Sequence, residues 1–485
     1  MSVHQVPIAP LPPERFRDVL DERPAAEFER TIEESSGALA GRVVWNVNST
    51  ANGGGVAEML RSLIAYGRGA GVDARWLVIE GNPPFFRVTK RIHNRLHGTP
   101  GDGGRLGERE RATYERVASR AAAELAPRVR PGDIVLLHDP QTAAMIAPLR
   151  RTGAHVVWRC HVGLDEPNRL ARSAWRFLLP YVAEADAYVF SRQSFAWDDL
   201  DPERLAIVPP SIDAFSPKNQ PLSEPAARAI LHAAGIIGHD GRGAPVFTRQ
   251  DGTPGRIDRR ARVVEDLPIS ARLPLVTQVS RWDWLKDPLG VLDAFVAYVA
   301  PQSDAHLVLA GPDVSAVADD PEGAMVLDQV VARRSGLAAE VRARIHLAVL
   351  PMQDADENAA IVNALQRRST VLVQKSIAEG FGLTVAEGMW KARPVVASHV
   401  GGIQDQIVDG ESGYLVAPHD LEGFGDRVAA LLRDRALAAR IGAAARDRVR
   451  DSFLGPRHLT QYLALFERLI EADPPRSTEP EEIHA

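Results

Sequence analysis

The sequence predicts an α/β protein of two doubly wound, Rossmann-like domains facing one another across a cleft, and three observations predict it. The chain has 485 residues, more than a single hydrophobic core holds, so two large domains are expected. Short apolar runs alternate with helical segments in two separate series, the pattern of parallel sheets covered on both faces. The turns richest in glycine and paired charges follow those runs, and ligands in open α/β sheets bind at the carboxyl ends of strands.

In chain order, residues 1–40 read as an N-terminal arm rich in Pro, Glu and Arg, with one amphipathic helix around Pro24–Ser35. The first domain is expected over 41–213, with strands at Arg42–Asn48, Arg75–Ile79, Ile134–Leu137, His155–Trp158, Ala187–Phe190 and Ala206–Val208. After the first strand, Gly53-Gly54-Gly55 opens a helix that sets Val56, Met59, Leu60, Leu63 and Ile64 on one stripe. Pro209–Asp213 reads as the exit from this domain. Residues 214–270 read as a linker carrying a polar insertion at 235–266, rich in Gly, Arg and Asp with little periodicity. Its Arg256, Arg259, Arg260 and Arg262 read as a solvated run, with contact to an anion or a partner subunit as the alternative.

The alternation restarts in a second domain over 271–455, with strands at Leu275–Val279, Leu307–Ala310, Ile345–Ala348, Thr370–Val373 and Pro394–Ala397. Helices follow at Leu421–Arg433, Leu437–Asp451 and Arg457–Glu471. The last lies in a segment, 456–485, read as a helix crossing back and an acidic tail from Asp473 read as disordered.

Composition removes several function classes. Apolar residues make up 45% and charged residues 25%, as in ordinary globular proteins. The balance of 57 basic and 63 acidic residues argues against a nucleic-acid binder but leaves room for a local phosphate site. A single cysteine, Cys160, excludes an intramolecular disulfide and a cysteine-based metal cluster, and fits a reducing cytosol. The opening MSVHQVPIAPLPPERF lacks the apolar core of a signal peptide, and no apolar run reaches the roughly 20 residues that span a bilayer. The expectation is a cytoplasmic protein with neither membrane nor nucleic acid as partner.

Four segments carry the candidate chemistry. Gly53–Gly55 offers helix N–H groups to an anion, or simply makes a tight strand-to-helix turn. In Ser280–Asp287 (SRWDWLKD), Arg281 and Lys286 suit a diphosphate that is held and then stabilised as a leaving group; the alternative is two solvated charges. His161 in Trp158–His161 is placed to hydrogen-bond a sugar hydroxyl, or is a satisfied structural histidine. Asp139 in His138–Gln141 (HDPQ) either orients an acceptor hydroxyl or caps the next helix. The most informative segment is Ser376–Glu387, SIAEGFGLTVAE. Gly380 and Gly382 bracket Phe381 and expose backbone N–H groups. Glu379 and Glu387 are read as facing one cleft, where carboxylates accept from vicinal hydroxyls; a capped helix with two surface acids is the alternative.

With these residues in view, the stretch from Glu379 to Glu387, the following GMWKARPVVASHVGGIQDQIVDGESGYLV and the earlier SRWDWLKD resemble the signature of retaining, GT-B-fold family 4 glycosyltransferases. VWNVNSTANGGGVAEML, ARWLVIEGNPPFFRVTKRIHNRLHG, HDPQ and WRCHVGLDEPN further resemble the trehalose glycosyltransferring synthases and their trehalose phosphorylase relatives. The resemblance covers most of residues 41–470. It implies an N-terminal acceptor domain, a C-terminal donor domain, and transfer of glucose from a nucleotide diphosphate-glucose (ADP- or UDP-glucose) to glucose, reversibly giving trehalose. It implies catalytic roles for His161, Glu379, Arg281 and Lys286, and donor contacts from Gly380, Phe381, Gly382 and Leu383. Glu387 would bind the ribose. Asn48, Gly53, Gly54, Gly55, Asp139 and Gln141 would lie near the acceptor or phosphates. No metal or other cofactor is required, the partners are a sugar and a nucleotide sugar, and a homodimer is the assembly entertained. The rivals are a trehalose phosphorylase using phosphate or glucose 1-phosphate, a family 4 enzyme with another acceptor, and a sugar-nucleotide-binding regulatory protein.

Overall fold

The computed structural model describes residues 2–51, 54–238, 243–270, 272–314 and 321–472. It divides into two compact units, one running to Val208 and resumed from Pro456, the other Pro209–Gly455. Gly53, residues 239–242 of the insertion and the tail 473–485 lie outside the described residues.

The first unit holds a seven-stranded sheet of β1 (Val3–Val6), β2 (Val43–Asn48), β3 (Asp73–Ile79), β4 (Ile134–His138), β5 (His155–Cys160), β6 (Ala187–Phe190) and β7 (Leu205–Ile207), in the order β1-β3-β2-β4-β5-β6-β7. All neighbours are parallel except β1, which runs antiparallel to β3 with Val3 opposite Ile79. The inner strands β2, β4, β5 and β6 are mostly apolar and buried along their whole length because helices cover both faces. Alternate residues go to opposite sides. Trp45, Val47, Leu77, Leu137 and Trp158 pack beneath the helices Pro83–Leu96, Glu108–Leu125 and Arg169–Val182. Val44, Trp76, Leu136 and Val157 pack with Leu60 and Ile64 of the helix Gly55–Gly69 and with Tyr462 and Phe466 of the helix Gly455–Ala472.

The segment 1–40 read as an arm is part of this unit. Val3–Val6 forms the sheet edge, and the helix Glu22–Ala38 buries Phe28 against Phe16. A four-residue strand containing His4 and Gln5 carries too little apolar pattern to show in sequence; the open edge of β3 recruits it.

The second unit holds β8 (Val246–Thr248), β9 (Pro254–Arg256), β10 (Arg262–Val264), β11 (Leu275–Val279), β12 (His306–Pro312), β13 (Ile345–Leu350), β14 (Val371–Gln374), β15 (Val395–Ser398) and β16 (Tyr414–Val416). Its main sheet has the order β10-β13-β12-β11-β14-β15-β16, parallel except for β10 on β13. The described part of the insertion at 235–266, read as an irregular excursion within a linker, is ordered into this unit instead. β8 and β9 make a hairpin, and β10 pairs with β13, Arg262 opposite Val349. Three-residue strands are shorter than the periodicity that reveals them, so only pairing shows them.

Each parallel sheet reverses its winding at one place. In the first unit β2 lies beside β4, with β3 on one side and β5 on the other; in the second, β11 lies beside β14. Doubly wound sheets open a crevice at such a reversal, outside the carboxyl ends of the two strands, because the connections leave in opposite directions. Among the described residues, no helix is long and apolar enough to cross a membrane.

Candidate active site

In the second unit the segments following β11 and β14 meet at the reversal. The backbone N–H of Ile377 donates to the carbonyl of Leu285 at 2.8 Å, joining the two loops. Lys286, in the turn Trp284–Lys286, forms an ion pair with Glu379, whose carboxylate also accepts from Ser376 Oγ at 3.3 Å. Gln278 holds the Lys286 carbonyl through Nε2 at 2.8 Å, so the base of the lysine is fixed from β11. Arg281 is about half exposed and donates from Nη2 to Asp283 Oδ2 at 2.6 Å, while Asp283 Oδ1 accepts from Leu285 N–H at 2.8 Å. Asp287 stands in the left-handed region (φ 47°), caps the helix Pro288–Ala294 through Gly290 N–H, and pairs with the buried Lys375.

The glycines hold this turn at close range. Gly382 (φ 84°) precedes the helix Leu383–Trp390, a conformation that a side chain disfavours. Gly401 (φ 48°) passes so near the turn that a Cβ there would fall on the Glu379 carbonyl oxygen, and one on Gly402 would sit 2.7 Å from the Gly380 oxygen. Phe381 is buried against Phe453, ring centroids 5.6 Å apart, and its carbonyl accepts from Gln406 Nε2. Phe381 is therefore an anchor for its neighbours; Gly380 and Leu383 flank it on the partly exposed surface.

Glu387 departs from the sequence reading. It is 1% exposed, its carboxylate accepts from Gln366 Nε2 at 3.1 Å, and Lys218 Nζ lies at 3.5 Å. The two acids thus do not present one open face: Glu379 is tied to Lys286, and Glu387 is enclosed by groups from 218 and 366 that no local pattern links to it. Beyond β12 and β13 lies a cavity of about 360 Å³ lined by Arg259, Arg260, Arg262, Asp313, Val349, Pro351 and Gln353. Arg259 is occupied by the buried Glu357.

In the first unit, the turns after β2 and β4 flank the other reversal. Gly54 (φ 87°) precedes the helix Gly55–Gly69, and a Cβ on it would meet nothing within 4 Å. Asn48 is buried and occupied: its Oδ1 accepts from Trp76 Nε1 at 2.9 Å and its Nδ2 donates to the Thr50 carbonyl at 2.7 Å. Asp139 does not cap the turn Pro140–Met145. It adopts φ 64°, ψ 177° and accepts from the backbone N–H of His161 through Oδ1 at 2.8 Å. Burial pushes its carboxyl up to about 6, against the pull of that hydrogen bond and of Arg159. Gln141 leaves its Oε1 without a hydrogen-bond partner among the described residues. Non-glycine positive φ occurs at three described positions, and Asp139 and Asp287 are two of them, one at each reversal. Such conformations persist where the surroundings over-determine them.

His161 is buried, with both ring nitrogens engaged: Nδ1 faces Arg159 Nε at 3.5 Å and Nε2 faces His138 Nδ1 at 3.2 Å. Burial, then Arg159, His138 and His458, hold its pKa well below the ordinary histidine value. Arg159, His138, Lys375, Lys218 and Gln366 were not singled out by sequence reasoning. A charged residue inside an apolar strand end was the available signal for Arg159 and Lys375. Lys218 and Gln366 gave none. Among the described residues, no group of three or more His, Cys, Asp or Glu side chains is placed to hold a metal ion.

Residues 46–197 match the family described as Trehalose synthase, N-terminal domain, and residues 260–448 match Glycosyl transferases group 1. The chain is 35% identical to the trehalose synthase of Rubrobacter xylanophilus over 446 residues, 92% of this chain and 94% of that protein. It is 27% identical to the trehalose phosphorylase of Pleurotus pulmonarius, but over only 54% of that longer protein. A solved Escherichia coli structure described as trehalose-6-phosphate bound with UDP-2-fluoro glucose superposes with a TM-score of 0.65 at 14% identity, covering 89% of this chain and all of that one, a likeness of fold. The match along nearly the whole length of a trehalose synthase, carried on two doubly wound sheets, makes this chain a member of the trehalose synthase family and a hexosyltransferase of GT-B architecture.

Proposed function

We propose that the chain transfers glucose from a nucleotide diphosphate-glucose to glucose with retention, forming trehalose. The observation that carries this reading is the Lys286–Glu379 pair at the winding reversal of the second unit, with Arg281 on the same loop. A cation already aimed and neutralised by a carboxylate needs little reorganisation when a diphosphate takes over its charge. Glu379, released from Lys286, then accepts from donor-sugar hydroxyls, and the N–H groups around Gly380–Gly382 face the developing charge.

In the proposed reaction the anomeric C–O bond breaks, the nucleoside diphosphate leaves with the electron pair, and an acceptor hydroxyl bonds to the same face of the anomeric carbon. Its proton goes to the leaving phosphate oxygen. Arg281 and Lys286 stabilise that oxygen while it carries charge. The cavity beyond β12 and β13 is lined by strands one to three spacings, roughly 5–15 Å, from β11, a reach suited to the nucleoside end of the donor. Glu387 would reach a ribose once Lys218 moves aside. Asp139, Gln141 and the Gly54–Gly55 turn are assigned to the acceptor side. A cytoplasmic setting fits the lone, buried Cys160, whose thiol burial pushes up.

The test incubates the protein with glucose and either ADP-glucose or UDP-glucose, and in a parallel arm trehalose with inorganic phosphate, reading products by nuclear magnetic resonance. The α,α-1,1 disaccharide with nucleoside diphosphate released is the expected result. Glucose 1-phosphate from the phosphate arm alone would instead identify a phosphorylase. Nucleotide binding without turnover in any arm would leave a regulatory protein.

A further inference from the structure

Arg159 lies fully buried on β5, and no carboxylate among the described residues forms an ion pair with it. Among the described residues its Nη2 reaches Ser191 Oγ only at 3.5 Å and Nη1 has no partner within hydrogen-bond geometry, although the Tyr462 hydroxyl lies close enough to feel its charge. A buried cation so thinly bonded is costly, and a purely structural arginine would normally come with an acid. What it does contact is His161, through Nε.

A guanidinium has hydrogens on every nitrogen and accepts nothing, and a neutral imidazole has one donor and one acceptor nitrogen. Facing Arg159 Nε–H at 3.5 Å, His161 Nδ1 must accept, so the ring proton sits on Nε2. That Nε2–H points to His138 Nδ1 at 3.2 Å, which must then accept in turn. The His138 proton is left on its own Nε2, 3.2 Å from Asn46 Oδ1, an oxygen that only accepts. Every link agrees on one direction, and the two rings lie nearly parallel, 16° apart with centroids at 5.5 Å. The backbone N–H of His161, bonded to Asp139, fixes the ring's base.

The surroundings keep the chain neutral. His161 faces Arg159 and His138 from the strands and His458 from the helix Gly455–Ala472, all of which oppose a second proton, beside the larger effect of burial. Burial, with Arg159, brings His138 down to about 3. The carboxyl of Asp139 is the acid at this end of the sheet, and Arg457 and Tyr462 complete the groups around Arg159.

We propose that Arg159 is a positioning residue that locks His161 as its Nε2–H tautomer, so that His161 meets a sugar oxygen as a neutral hydrogen-bond donor and never as a base. The lock itself follows from the first unit alone; its meaning for catalysis rests on the reading that His161 touches a reacting sugar. A substrate oxygen would take the place of His138 as acceptor of the Nε2–H. The acceptor-hydroxyl proton must then leave by another route, as the proposed transfer to the leaving phosphate oxygen provides.

The experiment uses the full chain with 15N-labelled histidine and two-bond proton–nitrogen correlation spectra, assigning the two rings with His161→Ala and His138→Ala. Both rings are expected as neutral Nε2–H tautomers from about pH 5.5 to 8, where an ordinary histidine titrates. Arg159→Met should give mixed tautomers and lower kcat roughly 10- to 100-fold, the scale for partners that orient a functional imidazole, with donor KM nearly unchanged. Arg159→Lys, which keeps a donor, should restore the tautomer and most of kcat. An Nδ1–H form of His161 in the unmodified protein overturns the proposal without any variant having to fold. So do unchanged tautomers in Arg159→Met. Normal turnover by His161→Ala, with the Nε2–H form present, overturns the substrate contact while leaving the lock in place.

Discussion

The two winding reversals share a topology and differ in how they store charge. In the second unit the cations on the loops after β11 and β14 come with their own carboxylates: Lys286 with Glu379, Arg281 with Asp283, Lys375 with Asp287. In the first unit Arg159 has none, and polarity passes through neutral rings to an amide oxygen. The contrast separates two chemical tasks. A paired cation exchanges partners when an anion arrives, which suits a diphosphate. A directed neutral chain discriminates hydroxyls by donor and acceptor sense, which suits a sugar.

The sharpest way to break this comparison is at Glu379. Glu379→Ala should lower kcat by roughly 1,000-fold, since it removes the proposed sugar contact and leaves Lys286 misaimed in the transition state. Steady-state kinetics check it; a mild loss no greater than that of Glu387→Ala would remove the distinction between the acids. Lys286→Ala should cost roughly 100-fold in kcat, with trapped nucleoside diphosphate binding weakened in calorimetry.

Gly401→Ala tests whether the turn is held by close packing. The Cβ must displace the Glu379 carbonyl, so we expect a loss of about 1–3 kcal/mol in denaturant unfolding and a fall in kcat without direct substrate contact. Glu387→Ala should mainly raise donor KM, roughly tenfold, and lower stability by about 1–3 kcal/mol because Gln366 loses its buried acceptor. Glu387→Gln should recover the stability more than the KM.

The last prediction is a pH dependence that arises in the first unit. His138 is held down to about 3 in the folded chain against 6.5 ordinarily, so the unfolded chain binds the extra proton first. Stability from this group is therefore whole above about 6.5 and lost as pH falls toward the folded value. Acid unfolding followed by tryptophan fluorescence should show it, and His138→Asn should flatten the slope between those limits. An unchanged slope would mean that the ring is not buried neutral.

Much of the second unit's candidate site was legible because its residues sit within a few positions of strand ends. Arg281, Lys286 and Glu379 follow β11 and β14, and glycines that mark tight turns are visible in any sequence. Glu387 was legible as a residue but not as a buried one, since Lys218 and Gln366 reach it from elsewhere in the chain. Asn48 looked like a ligand group and is held by Trp76, a partner set by sheet register. His161 stands out in the sequence as a histidine just past a strand, whereas the contact that Arg159, two residues before it, makes with that ring does not. A side chain's partner is a long-range fact even when its position is not.

What the amino-acid order determined by itself was the alternation of elements, hence two doubly wound sheets, and the turns on which the candidate groups sit. Apolar period and glycine placement are local, and they suffice for that. Tertiary structure alone decided which groups meet: β1 and β10 joining sheet edges, Lys286 reaching Glu379, and Arg159 setting the direction of the histidine chain. Those outcomes depend on strand order and register, which bring residues tens of positions apart within hydrogen-bond distance, and no local pattern encodes them.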